Sequence, residues 1–215
     1  MSKYIIHACP ERMWYVDDYL VPLLVSQGID DLDIWCDYPR YGNLESCMRM
    51  FSRRPNNNDG TWYLQDDVIV CRDFKKITEE NDFGIVCGFT SMKSEDIGSV
   101  HYDKMWWSFP CIRIPNDVAR ECGNWYFSFA KDYAKYYEWV QMKKCDDNMF
   151  RAFLEKHYPY MDIVNLKPNL VDHVDWLIGG SMVNQYRGDA QIRAAYFEDL
   201  DLVDKLRKDL ERRNE

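Results

Sequence analysis

The sequence predicts an α/β domain built on a mainly parallel, Rossmann-like sheet with helices on its flanks. Three observations predict it. The chain begins by alternating strand-like apolar runs with segments of helical spacing, a β-α-β-α-β order that calls for parallel strands joined by crossovers. Its 215 residues, 47% hydrophobic and 29% charged, suffice for one substantial core. The eight cysteines stand singly, without a CxxC pair and mostly in apolar runs. Neither a zinc ribbon nor a disulfide framework therefore replaces that core, and buried thiols in a reducing cytosol are expected.

The elements follow in order. "KYIIHAC", Lys3 to Cys9, reads as a buried first strand, stopped by Pro10. Met13, Val16, Tyr19, Leu20, Leu23 and Leu24 mark a helix from about Glu11 to Gln27, with Gly28 placed to cap its end. "DLDIWCD" is the second strand, with Asp37 at its carboxyl edge. After the loop "YPRYGN", Asn43 is placed to cap a helix through Ser52 whose buried face is Leu44, Cys47, Met48 and Phe51. The polar loop "RRPNNNDG" leads into "TWYLQDDVIV", and a short helix follows near Arg72 to Glu79.

A strand "FGIVCGF" comes next, then a long irregular stretch from Thr90 to Pro110, of the kind that is usually functional. "CIRIP" reads as a strand. Pro115 opens a helical region through Tyr137 with a break expected at Gly123. A helix from Asp146 to His157, a strand "MDIVNLKP" and a loop "NLVDHVDWLIGGS" follow. Tyr196, Leu200, Val203, Leu206 and Leu210 share one face of a charged terminal helix. The expected organisation is one α/β domain over residues 1–190 and a helical extension over 191–215.

The formal net charge of −9 argues against a protein dedicated to gripping phosphate backbone, although Arg49, Arg53 and Arg54 form a local basic patch. Aromatic residues make up 15% of the chain, which suits either a bulky core or stacking on sugars and bases. "MSKYIIHACPERMW" lacks the apolar stretch of a signal peptide. No run approaches the roughly 20 apolar residues of a membrane span. A cytoplasmic protein is the expectation.

The chemistry concentrates at strand ends. Asp66 and Asp67 interrupt the apolar run of "TWYLQDDVIV". Ionised carboxylates are costly to bury unless paired or bound to metal, so these two are either a solvated strand terminus or a cation site. In a parallel sheet ligands bind beyond the carboxyl ends of the strands, where Pro10, Arg12, Asp37, Asp66 and Asp67 all fall. A divalent cation on one or two carboxylates can neutralise a diphosphate. Asp146 and Asp147 open a helix, as ordinary caps or as a catalytic base. His173 follows an apolar strand and is either an exposed loop residue or a metal ligand.

The succession "HACPERMWYVDDYLVPLL", "DIWCD", "TWYLQDDVIVCRDF", "CDDNMF" and "PNLVDHVDWLIGGS", from Tyr4 to Ser181, resembles GT-A-fold glycosyltransferases, particularly small bacterial and bacteriophage members. Its most specific parts are "QDDV" and "PNLVDH". The resemblance implies a nucleotide-sugar donor and a manganese or magnesium ion. Asp67 and His173 would be metal ligands and Asp66 a ribose or sugar contact. Ala8, Pro10, Arg12 and Asp37 would line the nucleotide pocket, and Asp146 or Asp147 would be the base of an inverting transfer. Adjacent Asp-Asp departs from the family's spaced Asp-x-Asp, which leaves the roles of Asp66 and Asp67 interchangeable at this point.

The acceptor is expected to be a glycan or, as in phage relatives, a hydroxymethylated base in DNA. Trp106 and Trp107 are expected either to cover the sugar or to pack in the core. Two other classes compete. A metal-dependent phosphoesterase would use the same residue types but usually more than the four histidines present. A non-catalytic interaction module would account for the aromatics and not for acids gathered at strand ends.

Overall fold

The computed structural model describes residues 3–89, 101–103, 109–130, 146–166, 169–178 and 200–213. Trp106, Trp107, Cys145 and Ser181 lie outside them.

The first strand, β1, is Lys3–Ala8. It leads into α1, a run of four joined segments. These are a 3-10 turn Pro10–Arg12, an α turn Met13–Tyr15, a π turn Val16–Leu20 and an α segment Val21–Ser26. Pro10 suits the first turn because its fixed φ is already helical. The Val21 N–H reaches back to the Val16 carbonyl, and Pro22 beyond it has no N–H to give. Gly28 ends the run at φ 78°, donating to the Val25 carbonyl at 2.8 Å, as its placement predicts.

Then come β2 (Leu32–Cys36), α2 (Asn43–Ser52), β3 (Gly60–Gln65), β4 (Val68–Val70) and α3 (Phe74–Glu80). These are followed by β5 (Ile85–Cys87), β6 (His101–Asp103), β7 (Cys111–Pro115) and α4 (Asn116–Trp125). The π turn Tyr126–Ala130 extends α4. The remaining elements are α5 (Asp146–His157), β8 (Ile163–Asn165), β9 (Val171–His173), α6 (Asp175–Ile178) and α7 (Leu200–Arg213).

Seven strands form one sheet in the order β2-β1-β3-β7-β5-β8-β6. β2, β1, β3, β5 and β8 run one way, and β7 and β6 run against them. The result is a mixed α/β fold with a mainly parallel central sheet, as the sequence predicts. β4 and β9 pair separately as a two-stranded antiparallel ribbon.

Strand alternation divides the core between the two faces. Tyr4, Ile6, Trp62 and Leu64 point to one face, where α1, α3 and the ribbon cover them. Ile5 and Tyr63 point to the other, against α2, α4 and α5. Fully buried Ile6, Leu20 and Leu24 each contribute about 1.5–3 kcal/mol. Helix α7 joins the first face. Leu206 is fully buried, Arg213 pairs with Asp18 at 2.5 Å, and its guanidinium lies 4.6 Å from the Trp14 ring centre.

Four local expectations are corrected. Gly123 does not break α4. A Cβ there would stand 2.4 Å from the Ser52 nitrogen and 2.6 Å from the Met48 carbonyl, so the glycine lets α4 and α2 touch backbone to backbone. Asn43 does not cap α2. Gly42 stands at the cap with φ 85°, and the Asn43 side chain instead reaches Asp146 across 103 residues. The segment expected as a loop around His173 contains β9 and α6, because Val171 and His173 find partners in β4. β6 lies within the stretch expected to be irregular.

Candidate active site at the carboxyl end of the sheet

Asp66 and Asp67 form the two-residue turn between β3 and β4, and both are buried, at 1% and 4% exposure. They are therefore not a solvated strand terminus. Their charge is met by three groups from two distant segments. The Cys9 N–H donates to Asp66 Oδ2 at 2.6 Å. Arg12 spans the pair, with one nitrogen 2.7 Å from Asp66 Oδ1 and the other 2.6 Å from Asp67 Oδ2. His173 Nε2 lies 3.1 Å from Asp67 Oδ1.

Local backbone explains the convergence. The end of β1 and the 3-10 turn bring Cys9 and Arg12 over the end of its neighbour β3. The ribbon places His173 opposite Val68, and the Val174 N–H donates to the Asp67 carbonyl at 2.7 Å. The Tyr15 hydroxyl donates to the Val68 carbonyl at 2.8 Å and ties α1 to the same turn.

The two acids are electrostatically unlike. Burial, and then the Asp67 charge, push the Asp66 carboxyl up to about 6 against the pull of Arg12. Burial also raises Asp67, but His173 and Arg12 together outweigh it and hold this carboxyl below its usual range. Asp67 is thus the firmly ionised member.

A cation would find suitable donors here. Two carboxylates and an imidazole converge, and one guanidinium against two carboxylates leaves one negative charge. Hard carboxylate oxygens suit magnesium or manganese, and the histidine nitrogen completes a mixed set.

Asp37 lies at the neighbouring strand end, where its N–H donates to the Ala8 carbonyl at 2.9 Å. Its carboxylate accepts the Tyr41 and Gly42 amides at 3.0 and 2.8 Å, so it shapes its own loop. Ala8 is buried and contributes backbone, while Pro10 opens α1 beside the acid pair. A groove of about 460 Å³ runs along this edge, lined among others by Met13, Trp35, Tyr38 and Tyr41. Tyr38 is 69% exposed and Tyr41 46%. Arg49 lies over the Tyr41 ring at 4.0 Å and Arg53 over Trp35 at 4.9 Å.

On the opposite face of the same sheet edge, α5 starts beside the end of β3. Gln65, the residue before Asp66, lines one small cavity with Asp146. Asp146 is buried and accepts Asn43 Nδ2 at 2.8 Å and the Asp147 N–H at 3.0 Å. Burial, and then Asp147, raise its carboxyl to about 7. Asp147 is half-buried and accepts the Asn148 N–H at 2.7 Å. Each acid bonds the amide of the next residue in the first turn of α5, and Asp147 is the partly exposed one.

Sequence reasoning placed Arg12 in the pocket but missed its role as counter-ion to both acids, and it missed the Cys9 amide and the Asn43 bond to Asp146. An arginine just past a strand end that neighbours buried acids was the available signal for the first. The Cys9 contact is a backbone amide and leaves no trace in residue type.

No family model matches the chain, and no curated protein does. Solved structures give low-level likenesses. One is a Bacillus anthracis protein described as a glucose-1-phosphate thymidylyltransferase in complex with sucrose, at 9% identity and TM-score 0.40, over 77% of this chain and 86% of that one. Another is HddC from Yersinia pseudotuberculosis, at 11% identity and TM-score 0.32, over 56% of this chain and 80% of the other. A third is a glycosyltransferase involved in glycosylation of the major capsid of PBCV-1, at 11% identity and TM-score 0.33, over 59% and 68%. Among the described residues no helix is long and apolar enough to cross a membrane.

Proposed function

We propose that this chain is a metal-dependent glycosyltransferase that moves a sugar from a nucleotide-sugar donor to an acceptor hydroxyl. One observation carries the reading. The buried Asp66 and Asp67 converge with the partly buried Arg12 and His173 at the carboxyl ends of the parallel strands β1 and β3. The resemblance of "QDDV" and "PNLVDH" supplies the chemistry that this convergence serves.

Asp67 and His173 would hold the manganese or magnesium ion, which when bound stabilises the charge of a diphosphate leaving group. Arg12 orients both carboxylates and adds fixed positive charge where that diphosphate would lie. Asp66, pinned by the Cys9 amide, faces the ribose or sugar. The groove beside Asp37 has the volume of a small-ligand site, and the exposed rings of Tyr38 and Tyr41 suit the nucleoside. Asp147 takes the proton of the attacking hydroxyl in an inverting transfer, while Asp146 positions the start of α5.

A glycan acceptor fits better than DNA, because the chain carries a net charge of −9, whereas a grip on phosphate backbone calls for a basic surface. The test is a thermal-shift screen of nucleotide sugars with and without manganese, followed by calorimetry on the hit. Asp67→Ala should abolish manganese-dependent binding and leave the fold intact. Undiminished binding by that variant would remove Asp67 from the site and with it this reading.

A further inference from the structure

Three potential ligands meet on the other face of the sheet, outside the Asp66–Asp67 constellation. His7 lies on β1, Cys47 on α2, and Asp146 is the first residue of α5. One ligand atom from each lies within 4.8 Å of the other two. All three residues are buried, at 9%, 2% and 4% exposure. A histidine and an aspartate in such a place need a partner, and each has an orienting one. Ser46 Oγ lies 3.0 Å from His7 Nε2 and also accepts Trp35 Nε1–H at 3.1 Å. Asn43 Nδ2 and the Asp147 amide both bond Asp146 Oδ1, and the Cys47 thiol bonds the same carboxyl. Fixing the ligands from behind in this manner is the usual support of a metal site.

The geometry points to a second metal site at His7, Cys47 and Asp146, selective for a thiophilic dication such as Zn²⁺. Zinc takes thiolate, imidazole and carboxylate ligands together, whereas magnesium and calcium prefer oxygen alone. The charges balance. A dication with one thiolate, one carboxylate and a neutral imidazole sums to zero, the least costly state for a buried group. Loading releases the Cys47 proton and any proton on Asp146 to solvent. Metal-free, all three residues resist charge. Burial pushes the Cys47 thiol well up and Asp146 to about 7, and it lowers His7 to about 4.

His7, Cys47 and Asp146 also line, with Gln65, a cavity of about 10 Å³. That is room for about one water-sized occupant, the ion itself. The site would stitch β1, α2 and α5 at a point adjacent to Asp147. It stands apart from the catalytic reading, because its test reads retained metal and not turnover.

The experiment uses the full chain, stripped with a chelator, reloaded with Zn²⁺ or Co²⁺ and passed through gel filtration. One equivalent of zinc should be retained, and the cobalt form should show a thiolate-to-metal charge-transfer band. Cys47→Ser and His7→Gln should each lose the band and the retained equivalent, and Asp67→Ala should keep both. Absence of the band in the wild type, or its persistence in Cys47→Ser, overturns the proposal and leaves a metal-free polar cluster. Zinc-edge X-ray absorption on the wild type requires no variant to fold. A mixed sulfur and nitrogen/oxygen shell supports the site, and a shell without sulfur refutes it.

Discussion

Replacing Asp66 with asparagine should stabilise the protein while removing its proposed activity. Asp66 is buried, and its carboxyl is raised from 3.8 to about 6. An acid whose pKa is higher folded than unfolded holds its proton more tightly in the native state. Its contribution is therefore most favourable below about pH 4 and is lost as pH rises through about 6. The rise corresponds to about 3 kcal/mol of native-state penalty at neutral pH. Asparagine carries no such penalty and can still accept the Cys9 amide. Turning an N–H toward Arg12 returns about 1 kcal/mol of the gain. A net of about 2 kcal/mol remains, or about 4–8 °C in Tm for a chain of this size. The assay is thermal unfolding in a chelator between pH 4 and pH 8. The two proteins should differ most at the alkaline end and converge at the acid end. Manganese with a nucleotide sugar should stabilise the wild type alone. A variant less stable at pH 8, or a difference constant across the range, would refute the reasoning that burial strains Asp66.

Other outcomes follow from the same geometry. Asp147→Asn should lower turnover by roughly 10²–10⁴-fold with donor affinity unchanged in calorimetry, and normal turnover would return both helix-opening acids to a capping role. His173→Ala should weaken manganese binding more than tenfold, about 1.4 kcal/mol, and superimposable titrations would exclude it as a ligand. Gly123→Ala should force α2 and α4 apart and cost about 1–3 kcal/mol, read as a lower denaturation midpoint. An unchanged midpoint would mean that the two backbones have slack.

Much of the scaffold was legible because it is written in short-range pattern. The apolar run of β1, the helical spacing of α2 and the boundaries of α5 are properties of neighbouring residues. The placement of Asp66 and Asp67 at a strand end also followed from local pattern, and His173 was singled out by its place after an apolar strand and by motif resemblance. What stayed hidden depends on which segments become neighbours. Asn43 looks like a helix cap until α5 arrives to offer Asp146. Gly123 looks like a helix breaker until α2 is seen lying against it. His7 reads as one polar residue in a strand, and only the packing of α2 and α5 supplies Cys47 and Asp146 beside it. The antiparallel course of β7 was equally silent, since a strand's own residues do not fix the direction of its neighbours.

The ribbon of β4 and β9 is only three residue pairs long, and it joins segments about a hundred residues apart in the chain. So short a ladder has little to hold its alignment, and a slip of one residue would turn every side chain to the opposite face. His173 would then face away from Asp67, and Asp172 would take its place. Whatever bridges Asp67 and His173 therefore rewards a single alignment out of several. It acts as a proofreader of strand pairing late in folding, when the most distant contacts close. Refolding with the bridging cation present should yield fewer misaligned molecules than refolding without it.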